Sequence, residues 1–435
     1  MTKKIVLCLL LSALSACQFL PNTAEPFQSI GSHPKLPEPD LSMIPTVNIA
    51  KASEWPEGVI PRVKDGLSIN LYSKALVHPR WLHVLPNGDV LVAQSNKQAA
   101  QKSKSLKALV AEFVMKRAGA GTYSPDKITL LRDQDRDGVA ELSTDFLNGL
   151  HSPFGMALIG NDLYVANTNA ILRFHYEAGQ TSIDTAQFPP EKVIDLPEGA
   201  LNHHWTKNII ASLDGTKLYV TVGSNSNIGE NGLANEIERA AIWEVDLKTK
   251  QKRIFASGLR NPNGLAWHPS TGQLWTVVNE RDELGNDLVP DYLTSVHEGD
   301  FFGWPYVYYG HHQDPRVKEV MPKRLSARSP DYALGAHVAA LGLVFSDESA
   351  LNQHFGHGAF ISEHGSWNRK PRSGYKVVFV PFKNNQPDGI PLDVVTDFVV
   401  NDDAYGRPVG LAIDQDGNLL IADDVGNRVW RVRAK

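Results

Sequence analysis

Six copies of one hairpin pattern run through this chain, and they constrain its fold more than any other feature. Each copy has a polar or proline-containing entry and a short apolar strand. A turn built from Asp, Asn or Gly follows, then a second strand rich in Leu, Val, Tyr and Ala. The copies read RWLHVLPNGDVLVAQ from Arg80, PFGMALIGNDLYVANTNAILRFHY from Pro153 and HWTKNIIASLDGTKLYVTVGS from His204. They continue as NPNGLAWHPSTGQLWTVVNE from Asn261, ALGLVFSDESALNQHFGHGAFISEHG from Ala340 and RPVGLAIDQDGNLLIADDVGNRVWRV from Arg407. Turns such as PNGD, LDGT and DQDGN join half-buried antiparallel strands. A repeated unit of this kind buries its apolar faces by stacking against its neighbours. The prediction is an all-β chain forming a six-bladed β-propeller, closed so that few sheet edges are exposed. A pair of β-sandwiches is the alternative use of the same hairpins. The copies are spaced roughly 50 to 80 residues apart, more than the about 40 to 45 a compact blade needs. The excess predicts long loops on one face.

The N-terminus reads MTKKIVLCLLLSALSACQFL. Lys3 and Lys4 precede an apolar run over residues 5–14, shorter than the about 20 residues that span a bilayer. A basic start, short apolar core and small residues make a signal peptide over residues 1–17. Leu14-Ser15-Ala16-Cys17 resembles a bacterial lipobox, which implies cleavage before Cys17 and lipidation of its sulfur. Cys8 lies in the removed part, so the mature chain has no disulfide and depends on its core. Gln18 implies sorting to the outer membrane, facing the periplasm. Residues 18–55, rich in Pro, Ser and polar side chains, are expected to be a flexible tether to the propeller of residues 56–435. Net charge is −5 with the signs interspersed, which argues against a nucleic-acid surface.

Propellers carry chemistry at the mouth of the central channel, on the loops that enter and leave the inner strands. Those positions hold polar residues here. Asn202-His203-His204-Trp205 opens the third copy, and a histidine at a strand entry suits general-base work near neutral pH. A hydrogen-bonded loop histidine is the alternative. Arg260 and Asn261 open the fourth copy and offer a charged donor fork and an amide. That copy is left through Asn279-Glu280-Arg281-Asp282, with Asp287 and Gly303-Trp304-Pro305 following. Oxygen ligands in such a loop suit a hard cation such as Ca²⁺, and a turn held by its own ion pairs is the alternative.

These residues, in this order, resemble the soluble quinoprotein sugar dehydrogenases that use pyrroloquinoline quinone (PQQ). The likeness is greater to the sorbosone and pyranose dehydrogenase branch. NERDELG…LVPDYLTSV, Gly335-Ala336-His337 and His364-Gly365-Ser366-Trp367-Asn368-Arg369 carry that likeness, which spans residue 60 to the end. The resemblance implies oxidation of a sugar or related alcohol or aldehyde by hydride transfer to PQQ. It implies His204 as the base. Arg260, Asn261, Asn279, Asp282, Arg369, Arg407 and Arg80 would contact the cofactor. His337 and Trp367 would line the substrate pocket. Backbone carbonyls of Glu280 and Arg281 would hold the PQQ calcium, where the glucose enzyme has a Gly-Pro pair. The acid that partners the base in that enzyme falls near Ser224. No lysine precedes Lys370 where that enzyme grips PQQ with one. A periplasmic cytochrome or quinone would accept the electrons.

Asp133-Gln134-Asp135-Arg136-Asp137-Gly138 resembles the first half of an EF-hand loop, with Glu141 at its ninth position. It is a possible structural calcium site, and an Asp-Gly propeller turn is the alternative. The segment 95–121 carries helical spacing at Leu106, Leu109, Val110 and Phe113, which suits a lid or a redox-partner surface. Two other functions use the same fold: a calcium-dependent lactonase-type hydrolase, and a non-catalytic binding propeller of the envelope.

Overall fold

The computed structural model describes residues 28–42, 46–98, 117–119, 121, 123–199 and 201–435. The signal peptide, Cys17, Leu106, Leu109, Val110 and Phe113 lie outside the described residues, so those expectations are not addressed by it. Helix is scarce among the described residues: Asn352–Phe355 and the 3₁₀ turn Leu233–Glu236 are four residues each.

Six antiparallel sheets of at least four strands dominate. Their first strands are Pro79–Val84, Met156–Ile159, Ile209–Ala211, Pro262–Trp267, Ala340–Phe345 and Pro408–Ile413. These six touch one another in sequence, and the last touches the first. The sixth sheet takes its outermost strand from the start of the fold: Leu67–Ser73 pairs with Arg428–Ala434. Leu67–Ser73 and the C-terminal strand Arg428–Ala434 are therefore tied into one sheet.

The sequence pattern explains the layers. The second strands Val90–Gln94, Leu274–Val278 and Leu419–Asp423 are buried at every position. The hairpins were expected to be half-buried. Their second strands are covered on both faces, which is why they read as near-continuous apolar runs rather than alternating ones. Outer strands such as Leu142–Leu147 and Lys252–Ser257 alternate or turn polar. One apolar cluster lies between each adjacent pair of sheets. Trp81, Leu130 and Phe146 of the first sheet meet Phe154, Val165 and Phe174 of the second. Leu82 and Val92 of the first meet Leu420 and Val429 of the sixth. Each fully buried side chain of this size contributes roughly 1.5–3 kcal/mol, so each interface is a core of its own.

Inner strands approach backbone to backbone, and glycine makes this possible. A Cβ on Gly264 would lie 2.6 Å from the Leu341 carbonyl, and one on Gly342 would lie 2.5 Å from the Val409 carbonyl. Both glycines stand at the same place in their repeats, in GLAW and GLVF.

The expected tether is corrected in its described part. Residues 28–42 and 46–55 are docked along the fold. Gly31 bridges to Ala333, and Lys51–Ala52 pairs in parallel with Asp403–Ala404. Asp40 N–H donates to the Leu284 carbonyl, and Asn48 N–H to that of Trp367. Trp55 is 5% exposed, packed against Trp430 and Phe398. The polar composition that suggested a linker also suits a strap bound through backbone groups.

Candidate functional site

Antiparallel pairing sets the entry of each first strand beside the exit of its second. Pro79 faces Gln94, Pro262 faces Val278, and Pro408 faces Asp423. The residues expected around the cofactor stand at this end. Hydrogen bonds stitch neighbouring sheets there. Ser95 Oγ donates to the Pro153 carbonyl at 2.5 Å, and Ser224 N–H to that of Arg260 at 2.7 Å. Asn208 Nδ2 donates to the Asn263 carbonyl at 3.0 Å, and Asn279 Nδ2 to that of Ala340 at 2.6 Å. Arg80 and Asp424 pair between the first and sixth sheets.

The structure divides the predicted residues in two. One set is committed to protein partners. Arg260 donates from Nε to the Asn227 carbonyl at 3.1 Å and from Nη1 to those of Glu280 at 2.7 Å and Asn279 at 3.3 Å. Its Nη2 bonds Asn227 Oδ1 at 3.0 Å and lies 3.6 Å from Asp282. This 3% exposed guanidinium clamps the loop through each of its three nitrogens. Arg369 is likewise spent on the Asn286 and Pro371 carbonyls and on Asp287 at 2.6 Å. Asn279 is used in the stitch above. His337 is held on both sides, Nδ1 by Asp282 at 3.3 Å and Nε2 by the Gly285 carbonyl at 2.9 Å. It props the 282–287 loop. Asp282 also accepts from Asn368 at 2.8 Å.

Electrostatics follow this geometry. Burial opposes the charge on Asp282, but the His337 hydrogen bond and the Arg260 charge hold its pKa down at about 2. Burial alone would lower His337, and Asp282 outweighs it and raises the pKa. The Glu280 carbonyl, expected with that of Arg281 to hold the PQQ calcium, accepts from Arg260 Nη1 at 2.7 Å. A carbonyl oxygen has two lone pairs, and the Arg260 guanidinium takes one of those of Glu280. The Arg281 head pairs with Asp314 at 2.8 Å and is 1% exposed.

The second set keeps spare atoms. Arg407 bonds Tyr375 Oη at 3.1 Å, with Tyr375 lying under its guanidinium, and its buried Nε has no partner. Arg80 pairs with Asp424 beside the Phe154 and Trp205 rings, and its buried Nε is also unpartnered. Asn261 Oδ1 is a buried acceptor with no donor. Trp367 is 39% exposed at the rim. His204 is fixed through Nδ1 on the Ser224 carbonyl at 2.8 Å and Oγ at 3.1 Å. Gly223 makes room for this, since a Cβ there would meet Asn261 Oδ1 and the His204 side chain. Burial, then Arg260 and His203, push the His204 pKa well below its ordinary value, so the ring is neutral near pH 7.

Two groups were missed from the sequence. Asp424 gathers three partners: Arg80, His364 Nε2 at 3.0 Å and His78 Nε2 at 3.7 Å. Burial resists its charge, yet His364 and Arg80 drive its pKa far below the carboxylate range. The repeat alignment held the signal, because Asp424 follows the second strand of the sixth sheet as His364 follows that of the fifth. Lys207 is wholly buried, with Nζ donating to the Trp205 carbonyl at 3.1 Å. Burial pushes its pKa well down.

Away from the mouth, Asp133, Asp135, Asp137 and Glu141 bring ligand atoms within 4.8 Å of one another. Asp133 Oδ1 is buried there without a partner, while Oδ2 accepts from Gly138 N–H at 2.9 Å.

This architecture recurs in solved structures of sugar-oxidising and carbohydrate-active enzymes. A calcium-containing structure of a Trichoderma reesei Carbohydrate-Active Enzymes Family AA12 protein superposes with a TM-score of 0.68 at 18% identity. It covers 90% of this chain and 99% of that one. The holo form of the pyranose dehydrogenase PQQ domain from Coprinopsis cinerea gives 0.67 at 18%, covering 89% and 100%. The soluble aldose sugar dehydrogenase of Escherichia coli gives 0.57 at 14%, covering 85% and 100%. At these identities the likeness establishes the fold. A protein of Borreliella burgdorferi, described as uncharacterized, is 29% identical over 291 residues, 65% of this chain and 76% of that one. The Glucose / Sorbosone dehydrogenase family model matches residues 243–363. The TrAA12-like family model matches residues 126–300 and 317–435, and the chain belongs to that family.

Proposed function

We propose that this protein is a PQQ-dependent oxidoreductase of a sugar or a related alcohol or aldehyde, built on a six-bladed propeller. The observation that carries the reading is the pair of buried, unpartnered Nε donors on Arg80 and Arg407, with the orphan acceptor Asn261 Oδ1. Buried donors left unpaired cost about 1–3 kcal/mol each, and an anionic ligand rich in carboxylate and carbonyl oxygens would satisfy them. The family match and the holo pyranose dehydrogenase PQQ domain point to the same ligand.

In this reading Arg80 and Arg407 bind the carboxylates, and Asn261 holds a polar edge. Arg260, Asp282, His337 and Asn368 keep the 279–287 loop in place without touching the ligand. Trp367 covers the rim over the sugar. When bound, PQQ supplies a quinone that accepts a hydride. The protein supplies a neutral imidazole that takes the hydroxyl proton, and His204, anchored through Nδ1 on Ser224 with its pKa lowered, supports such a role.

Hydrolysis at a central metal is less well supported. Asp282, Asp291 and Asp424 at the mouth are each engaged by His337 and Asn368, by backbone N–H groups, or by Arg80 and His364. The 133–141 loop gathers carboxylates that support a structural calcium there. Lipidation of Cys17, an outer-membrane location and a periplasmic electron acceptor complete the proposal. Labelled fatty acid incorporated by the wild type and absent from Cys17→Ser would support the anchor.

The deciding experiment titrates protein lacking residues 1–17 with PQQ, with and without Ca²⁺, followed by dye reduction with aldoses. Stoichiometric binding with turnover is expected. Absence of binding at micromolar PQQ sinks the reading.

A further inference from the structure

Two histidines stand at the mouth with one ring nitrogen tied and the other open, and their supports differ. His204 leans through Nδ1 on the carbonyl and hydroxyl of Ser224. His364 leans through Nε2 on the carboxylate of Asp424, at 3.0 and 3.1 Å, with its side chain 20% exposed. His364 leaves the second strand of the fifth sheet as Asn279 leaves that of the fourth, so it belongs to the same ring. Arg80 links the two histidines' surroundings. Its guanidinium pairs with Asp424 and lies 5.8 Å from the ring of Trp205, the neighbour of His204.

We propose that His364, held by Asp424, is the residue that accepts the substrate proton, and that His204 orients the hydroxyl. This rests on the quinone-dependent reading and reassigns one role within it. In the step, the alcohol O–H breaks and its proton passes to His364 Nδ1. The carbinol C–H breaks with its electron pair, and that hydride reduces the quinone by two electrons. A C=O bond forms in the product. Asp424 sits where positive charge develops on the ring and stabilises it, as a buried carboxylate does for a general-base histidine. His204 has no such partner, and Arg260 opposes a charge on it.

The groups facing His364 are Asp424 and Arg407 from the sixth sheet and Arg80 and His78 from the first. Burial lowers its pKa, Asp424 works against this, and Arg407 and Arg80 add to the lowering. The ring is therefore neutral and able to accept at pH 7. A carboxylate on Nε2 also fixes the tautomer: Nε2 carries the hydrogen and Nδ1 the lone pair.

The test uses the full mature chain and the variants H364Q, H204Q and D424N. Histidine ¹⁵N spectra of the cofactor-free wild type should show His364 as the Nε2–H tautomer. D424N should lower its titration midpoint further. An Nδ1–H tautomer, or a midpoint unmoved in D424N, overturns the dyad. In PQQ titrations H364Q should bind as the wild type does while kcat falls about 100-fold or more with KM little changed. H204Q should lose roughly 10-fold in kcat, with KM rising. The reverse ranking returns the proton to His204 and defeats the proposal. If H364Q does not fold, the kcat–pH profile of D424N decides: its acidic limb must move relative to the wild type. Failure of the wild type to bind PQQ instead defeats the quinone reading itself, and this proposal with it.

Discussion

At the scale of single residues, the dividing property is whether a polar side chain is already spent. Strand-entry position announced Arg80, Arg260 and Arg407, and the family resemblance Arg369, without distinction, because all four carry the same head group. Only packing separates them, since the Asn227, Asn279 and Glu280 carbonyls that saturate Arg260 come from two loops. Arg407→Gln should therefore weaken PQQ binding about 10- to 100-fold, the loss of a charge-assisted bond of roughly 1.5–3 kcal/mol. Arg369→Gln should leave that affinity within about 3-fold while lowering stability, because its partner is Asp287. Equal losses of affinity in the two variants would refute the division. Glu363, beside His364, makes a separate prediction. It is 2% exposed, its Oε2 has no partner, and burial pushes its pKa up to about 8. A folded-state pKa raised above the unfolded value gives stability that is complete below about pH 4.5 and is lost as pH rises to about 8. Glu363→Gln should match the wild type near pH 4. At pH 8 it should be more stable, by on the order of a few kcal/mol, in denaturant melts. Parallel pH profiles would contradict this.

At the scale of elements, much could be read from the sequence because its pattern is local. Short apolar strands and turn chemistry locate all six hairpins. Partner choice is not local. Nothing in GLAW or GLVF states that the next sheet's carbonyl lies against the glycine, and only the ring of inner strands reveals it. Gly342→Ala should accordingly cost about 1–3 kcal/mol by overpacking, measured as a lower melting temperature without loss of β-sheet signal. A neutral effect would mean that neighbouring sheets can part at little cost. The DQDRDG turn was visible as a chelating pattern, and the structure brings Glu141 to the same group. Saturating Ca²⁺ should raise the melting temperature, corresponding to about 2.7 kcal/mol at 100 times Kd. Chelator should reverse this, and Asp135→Asn should abolish it without changing PQQ affinity. A melting curve indifferent to Ca²⁺ would leave the turn as hydrogen-bonded structure alone.

At the scale of the molecule, the ring must be closed and its mouth held in shape, and the N-terminal segment serves both. Leu67–Ser73 completes the sixth sheet, and the strap before it bridges to Ala333 of the fourth sheet and pairs with Asp403–Ala404. Its composition, rich in Pro and polar residues, is that of a linker. No periodicity marks it because it docks through backbone groups and one aromatic anchor. That anchor is Trp55. Its indole N–H donates at 2.9 Å to Asp423, which also receives the Arg407 and Gly426 amides and the Trp430 indole. Asp423 thus ties the strap to the backbone of a proposed cofactor arginine. Further along, Asn48 binds the Trp367 and Arg369 carbonyls, and Asp40 the Leu284 carbonyl, so the rim loops are braced from the same side. Trp55→Ala removes a large buried ring and leaves an Asp423 oxygen short of a donor, at a cost of about 3–5 kcal/mol. The expected result is a lower melting temperature together with weaker PQQ binding, because Arg407 loses its support. If Trp55→Ala lowers stability but leaves PQQ affinity intact, the strap closes the ring without shaping the mouth.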